Sequence, residues 1–277
     1  MAKMEWVDAD AGVTLLRRAI GQSGFGGADS MPVFYQAAGL SGVRLSQMLD
    51  GPAHLTLAVN IRATTRSLYE VERRTLMAAL KNGPGTLRHT DTAGLVWELP
   101  AVYMSGLGAS DTEVDSQLAQ LEFQSDGEPY WQSTVVNTTV WATPVITELW
   151  LPQSLFPVVT PSEVFDTATV TNSGDVHTWP TWVIDGPGEN PFITNDTTGL
   201  TLTFVGLTLL VGEVLTVNTN PGVVTADVDG ATVWSSLTDA STFWPLAPGA
   251  STVRLGMGGA GVTSSFTLTY SDRQHGE

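Results

Sequence analysis

Two stretches of the sequence hold residue types that could do chemistry. Residues 172–191, NSGDVHTWPTWVIDGPGENP, bring Trp179 and Trp182 together with His177 and the carboxylates Asp175, Asp185 and Glu189. Flat indole rings beside a carboxylate are what a sugar-stacking platform with an acidic catalytic or metal-binding group would need. Further on, Trp234, Phe243 and Trp244 in VWSSLTDASTFWPLAPG offer a second set of stacking surfaces. Asp227-Val228-Asp229 puts two carboxylates on one strand face, where they could hold calcium or serve as a glycosidase pair. Glu163 and Asp166 in PSEVFDT repeat that theme more loosely.

Each of these has a simpler reading. Asp-Gly is what a two-residue type I′ turn selects, so Asp229-Gly230 reads as the tip of a hairpin. Large aromatics mostly fill cores, and Trp234, Phe243 and Trp244 can close one end of a sandwich, with Pro245 and Pro248 fixing the exit. Glu163 and Asp166 read as solvated loop acids. His54, His89, His177 and His275 are dispersed, none with a second histidine two to five residues on, so a metal site would need distant pieces to converge. The glycine-rich GFGG (Gly24–Gly27) and MGGAG (Met257–Gly261) lack phosphate-loop spacing and a following helix, and read as loops. No catalytic, cofactor-binding or metal-binding residue is assigned.

The elements that would position these residues fall into two regions. His54–Ala63 alternates Leu55, Leu57, Val59 and Ile61 with polar or small residues, the pattern of a half-buried strand. SLYEVERRTLMAALKNGPG follows as the one convincing helix. Ser67 with Glu70 makes a capping box, Leu68, Val71, Leu76, Met77 and Leu80 form an apolar face, and Asn82-Gly83-Pro84 stops it. GTLRHT and LVWELPAVYMSGL around DTAG read as a β-hairpin, and Gln117–Trp131 as a strand ending at a turn and Pro129.

From about residue 132 the composition shifts to threonine, valine, glycine and proline, with strand signals every 8–12 residues and no helical period. Thr201–Phe204, Leu215 with Val217 after a Gly212-Glu213 turn, and Phe266, Leu268 and Tyr270 alternate as strands do. This spacing predicts an antiparallel sandwich or jelly roll for the second region of a mainly β chain, and the change of composition places the boundary between residues 1–132, which carry the single helix, and residues 133–277. Within the opening cluster, Thr181–Ile184 becomes a strand and Asp185-Gly186-Pro187-Gly188 the turn that ends it.

Bulk properties exclude several classes. At 277 residues with 42% hydrophobic content the chain is globular, and the absence of cysteine removes disulfides and thiolate chemistry. MAKMEWVDADAGVTLL lacks the apolar run of a secretory signal, so the sequons at Asn137 and Asn195 are expected to be incidental. Gly199–Thr219, the most apolar window, is interrupted by threonines, glycines and Glu213, and is not a membrane span. The net charge of −16 is uneven: residues 1–88 hold ten Lys/Arg against seven Asp/Glu, residues 89–277 two against twenty-one. So acidic a region argues against specific nucleic-acid binding.

The ordered set of segments resembles the distal tail protein family of phages with long, non-contractile tails, in the form common in phages of actinobacteria. The resemblance runs from EWVDADAGVTLL, GFGG-x-x-SMP, LTLAVNIRA, the SLYEVERRTLMAAL helix and GTLRHTDTAGLVWEL through LEFQSDGEPYW. It continues in TNSGDVHTWPTWVIDGPGENPFITNDTTG, LLVGEVLTVNTNPG and WSSLTDASTFWPLAPGASTVRL. Glu128 before Pro129 and the PGAS segment depart from the family pattern and bear on local turn geometry. The resemblance implies a structural, non-enzymatic virion protein at the distal end of the tail. Its N-terminal domain, an antiparallel β-sandwich with one helix, would form a homohexameric ring below the tail tube, and its C-terminal domain a galectin-like or carbohydrate-module-like sandwich projecting outward. The implied neighbours are the major tail tube protein, the tape measure protein, and baseplate hub or receptor-binding proteins. DNA would pass through without recognition. An alternative expectation is a carbohydrate-binding or adhesion module, residues 145–270 contacting host-surface glycans. Neither reading calls for a cofactor, a metal or membrane insertion.

Overall fold

The computed structural model describes residues 3–17, 27–36, 43–108, 116–142 and 166–276. The candidate Glu163 and the start of the GFGG segment lie outside them. The chain divides into two compact units, residues 1–135 with 273–277, and residues 136–272.

In the first unit, β1 (Lys3–Val7), β2 (Val13–Leu16), β3 (Ser30–Tyr35), β4 (Arg44–Asp50) and β5 (His54–Arg62) precede the helix α1 (Arg66–Leu80). After it come β6 (Gly85–Thr90), β7 (Val96–Ser105), β8 (Ser116–Ser125) and the first residues of β9 (Trp131–Ala142). The antiparallel order is β2-β1-β6-β7, with β8 then β5 continuing from one half of the far edge of β7 and β9 pairing with the other half. The sheet curls until Asn60 on β5 donates its amide to the Arg17 carbonyl just beyond β2, 2.9 Å. Met4, Trp6, Leu57, Leu87, Leu99 and Leu121 fill the interior. The alternation of β5 becomes one buried face, as the pattern requires.

The α1 helix closes this core with a different register from the one its sequence suggests. Its N-cap is Thr65, extended at φ −141° and ψ 155°, whose hydroxyl accepts from the Leu68 amide at 3.4 Å. Ser67 therefore lies inside the first turn. The buried residues are Tyr69, Leu76 and Leu80, which share one face at spacings of seven and four, while Leu68 and Val71 stay about half exposed. The indole Nε1 of Trp6 donates to the Ala79 carbonyl at 3.0 Å and pins the last turn. Gly83 follows at φ 89°, the left-handed stop expected of it.

The second unit is a two-sheet sandwich. Its strands are β10 (Asp166–Asn172), β11 (Thr181–Asp185), β12 (Gly188–Asn195), β13 (Leu200–Thr203), β14 (Thr208–Leu209) and β15 (Val214–Asn218). They are followed by β16 (Thr225–Val228), β17 (Ala231–Thr232), β18 (Gly249–Gly258) and β19 (Ser265–Gln274). One sheet runs β17-β16-β15-β11-β19, the other β10-β18-β12-β13 with β14 on part of β12. Trp182, Ile184, Leu215, Val217, Phe266 and Leu268 from the first face Ile193, Leu202, Val253 and Leu255 from the second. Threonines on the alternate positions carry the outward faces. The described residues are thus mainly β with antiparallel sheets and one α-helix, as the sequence indicates.

The last residues of β19 belong to the first unit. Arg273 is buried, pairs with Glu128, and lies over the Tyr130 ring with its guanidinium carbon 6.0 Å from the centroid. Tyr130 donates its hydroxyl to Asp50 at the end of β4, and His275 meets the Tyr130 ring edge-on at 5.4 Å. Burial, reinforced by the bond to Asp50, raises the Tyr130 pKa, so the phenol stays a donor throughout the neutral range. Tyr130→Phe is expected to cost about 1 kcal/mol, small because Asp50 is exposed. It should also speed amide exchange at Gly51, whose N–H donates to the Asp29 carbonyl at 2.7 Å at the base of the β3–β4 hairpin. Unchanged exchange at Gly51 would remove Tyr130 from the support of that hairpin.

Candidate functional site

The residues singled out for chemistry are placed apart. His54 begins β5 at the surface. His89 is buried on β6 against Trp131, and His177 meets the Trp179 ring edge-on at 5.6 Å. Among the described residues no three His, Cys, Asp or Glu side chains converge on a point that could hold a metal ion. Asp229 and Gly230 are the two tip residues of the β16–β17 hairpin, at φ 48° and 84°, as a type I′ turn demands. Asp229 also accepts from the Val214 amide at 3.3 Å, so one of its oxygens serves the fold. Asp166 opens β10. Met257 and Gly258 end β18, and the rest of MGGAG forms the turn into β19.

The described aromatics do not form a platform. Trp182 and Trp244 are buried and meet edge-on at 5.9 Å inside the sandwich. The Trp179 indole nitrogen is buried as well. Trp234 alone of these tryptophans is well exposed, at 42%, with its ring against the Phe243 edge at 5.8 Å. Around the 172–191 cluster the polar groups tie backbone to backbone. Asn172 Nδ2 donates to the carbonyls of Val176 and Leu246 at 2.9 and 3.1 Å, and its Oδ1 accepts from the Gly174 amide. Thr178 pairs with Leu246 by its backbone, and its hydroxyl donates to the Ser271 carbonyl at 2.6 Å. The cluster is a knot that anchors the entry to β11.

What the structure exposes instead is the β3–β4 hairpin. Every residue of both strands is exposed, including Met31, Phe34, Tyr35, Leu45, Met48 and Leu49. The pairing runs from Ser30↔Asp50 to Tyr35↔Arg44, with a bulge at Val33/Phe34 and Phe34 directly opposite Leu45. An isolated two-stranded hairpin is marginal in water, and one with apolar side chains on both faces needs cover. The sequence signal was present in SMPVFY and VRLSQML: apolar residues without a period of two, as in a strand covered on both sides.

The same unit carries an apolar groove of about 270 Å³ lined by residues of β2, β5 and α1. Leu15, Ile61, Val71 and Leu76 line it, with Arg17 and Glu72 at its rim. Leu15 and Val71 are 54% and 56% exposed, so the groove is open to a partner.

The described residues thus form two β units, the first with one α-helix and an exposed apolar hairpin. Residues 173–273 match the family model described as siphovirus-type tail component, C-terminal domain. Over the whole chain the fold is similar to the crystal structure of Dit (gp 19.1) of phage SPP1, described as a paradigm of the hub adsorption apparatus in phages infecting Gram-positive hosts. The match has a TM-score of 0.67 at 12% identity and covers 99% of each chain. A chain of the phage P2 baseplate in its activated conformation with calcium aligns over 97% of this chain and 98% of its own, at TM-score 0.46 and 10% identity. No curated protein sequence matches significantly. The resemblance to the distal tail protein family read from the sequence is borne out by the family model over residues 173–273 and by the shared fold. Among the described residues no helix is long and apolar enough to cross a membrane.

Proposed function

We propose that the chain is a structural hub component at the distal end of a long, non-contractile phage tail, with no catalytic role. Residues 1–135 associate with copies of themselves into a homohexameric ring that continues the tail tube and lets DNA pass. Residues 136–272 project from the ring as a sandwich of galectin-like type. The ring meets the tube and tape measure proteins on one side and the baseplate or receptor-binding proteins on the other. The family match of residues 173–273 supports the tail assignment. The self-assembly rests on the β3–β4 hairpin, two strands of exposed apolar residues that no described part of the chain covers. The groove between β2, β5 and α1 offers a surface of matching character on a neighbouring copy. The charge split agrees, because residues 1–135 hold ten Lys/Arg against fifteen Asp/Glu, whereas residues 136–272 hold one against twelve and repel their copies more strongly.

Mass in solution combined with negative-stain imaging tests the proposal. Six-fold rings are expected at high protein concentration. Phe34→Asp with Leu45→Asp, a facing pair, should give monomers with unchanged circular dichroism. A wild-type chain that stays strictly monomeric, or a double variant that still forms rings, would overturn the assembly proposal.

A further inference from the structure

We propose that one end of the second unit, where four turns of the sandwich converge, is a docking surface for a protein partner presenting an apolar socket ringed by lysine and arginine. This inference concerns residues 136–272 alone and does not depend on ring formation.

The observation is the kind of residue standing on those turns. Val262 is 81% exposed, Val211 75% and Leu210 62%, among the highest values for large apolar side chains in the molecule. Turn tips ordinarily carry glycine, asparagine or aspartate. Val262 lies on the β18–β19 turn, while Leu210 and Val211 form the β14–β15 turn, and both turns pack on Gly186-Pro187 between β11 and β12. A side chain at Gly186 would stand 2.2 Å from the Leu210 carbonyl oxygen, and one at Gly261 would stand 2.8 Å from the Pro187 ring.

The turns that carry the apolar side chains are held by side-chain to backbone hydrogen bonds. Glu213 Oε2 accepts from the Leu210 amide at 2.8 Å. Ser264 Oγ accepts from the Gly261 amide at 2.8 Å and donates to the Pro187 carbonyl at 2.6 Å. Thr263 Oγ1 donates to the Gly186 carbonyl at 3.2 Å. Turn backbone fixed before contact loses little entropy on binding, which favours a recognition surface.

Charge selects the partner. Asp185, Glu189, Glu213 and Asp229 flank the turns, and Asp229 is tied to this end by the bond between its amide and the Val214 carbonyl, 3.1 Å. Arg254 is the sole lysine or arginine of the second unit, and Asp196 already pairs with it at 2.9 Å. An apolar tip inside a carboxylate rim is complementary to an apolar socket inside a cationic one. An anionic bilayer, or the same end of a second copy, would be repelled.

The test uses the full chain and two synthetic peptides of equal length, one alternating leucine with lysine and the other leucine with glutamate. The leucine–lysine peptide is expected to bind in a salt-dependent manner, and the leucine–glutamate peptide not to bind. Val211→Ser with Val262→Ser keeps every carboxylate, and should bind the basic peptide roughly 10-fold more weakly at an unchanged melting temperature. Glu189→Gln with Asp229→Asn keeps the apolar tip, and should bind several-fold more weakly with a flatter salt response. Equal binding by wild type and the serine variant would reduce the effect to bulk charge and overturn the proposal. So would partition into zwitterionic vesicles, or self-association in sedimentation, if the serine variant abolishes it while the peptides are not distinguished.

Discussion

Trp182→Ala is expected to destabilise the second unit by about 3–5 kcal/mol, a drop of roughly 10 °C in its unfolding transition. Trp182 is fully buried on β11, the strand hydrogen-bonded on both sides, to β15 and to β19. Its ring stacks on Trp141 at 6.2 Å and meets Trp244 edge-on at 5.9 Å. Truncation would remove both contacts and leave a cavity between two paired sheets, which have little freedom to collapse into it. The indole Nε1 finds no acceptor among the described residues. Trp182→Phe removes that buried donor while keeping most of the apolar volume, and is expected to cost less than half as much as alanine. Urea titration with exchange protection at β11, β15 and β19 measures both. A Phe variant as unstable as the Ala variant would mean that ring size at this position matters more than the loss of the donor.

Trp182 also shows where the sequence was legible and where it was not. That Thr181–Ile184 forms a strand ending at Asp185-Gly186-Pro187 followed from alternation and turn chemistry, and the structure gives Thr181–Asp185. The β6–β7 hairpin around DTAG and the Asp229-Gly230 turn were legible for the same reason: both are fixed within a few residues. The start of α1 was not, because Ser-x-x-Glu at Ser67 and Glu70 satisfies a local rule, while packing of Tyr69, Leu76 and Leu80 against the curled sheet selects Thr65 as the cap. Which tryptophans are buried depends on the two sheets coming together, so Trp234 and Trp244, in one short segment with similar neighbours, end at 42% and 1% exposure. The pair of Arg273 with Glu128 joins positions 145 apart, beyond any local pattern. The exposed hairpin was hidden for another reason. Its apolar residues lack a period of two and are exposed on both strands, so no alternation was there to mark them.

Gly106→Ala should be the most damaging small substitution in the first unit, at about 3 kcal/mol or more. Two separate costs coincide there. Gly106 sits at φ 117°, outside the range an alanine readily adopts. A Cβ would also stand 1.7 Å from the Gln120 carbonyl oxygen and 2.6 Å from its carbon, both backbone atoms of β8. No flexible side chain can yield, so β8 itself must move. The neighbourhood cannot absorb that shift cheaply. Just before Gly106 the β7–β8 register slips between Tyr103 and Ser105, and just after it Leu107 turns into the core. The Leu107 amide donates to the Tyr103 hydroxyl at 2.9 Å, and the Tyr103 ring meets Phe123 edge-on at 5.8 Å. Gly94 supplies the control, since it has φ 91° but nothing within 4 Å of where an added methyl would stand. Gly94→Ala should therefore cost only the backbone part, about 1 kcal/mol. The difference in urea midpoint between the two variants isolates the steric cost of bringing β8 against a bare backbone. Equal midpoints would mean that β7 and β8 are free to part at Gly106, and that the bulge carries Leu107 into the core without the close approach.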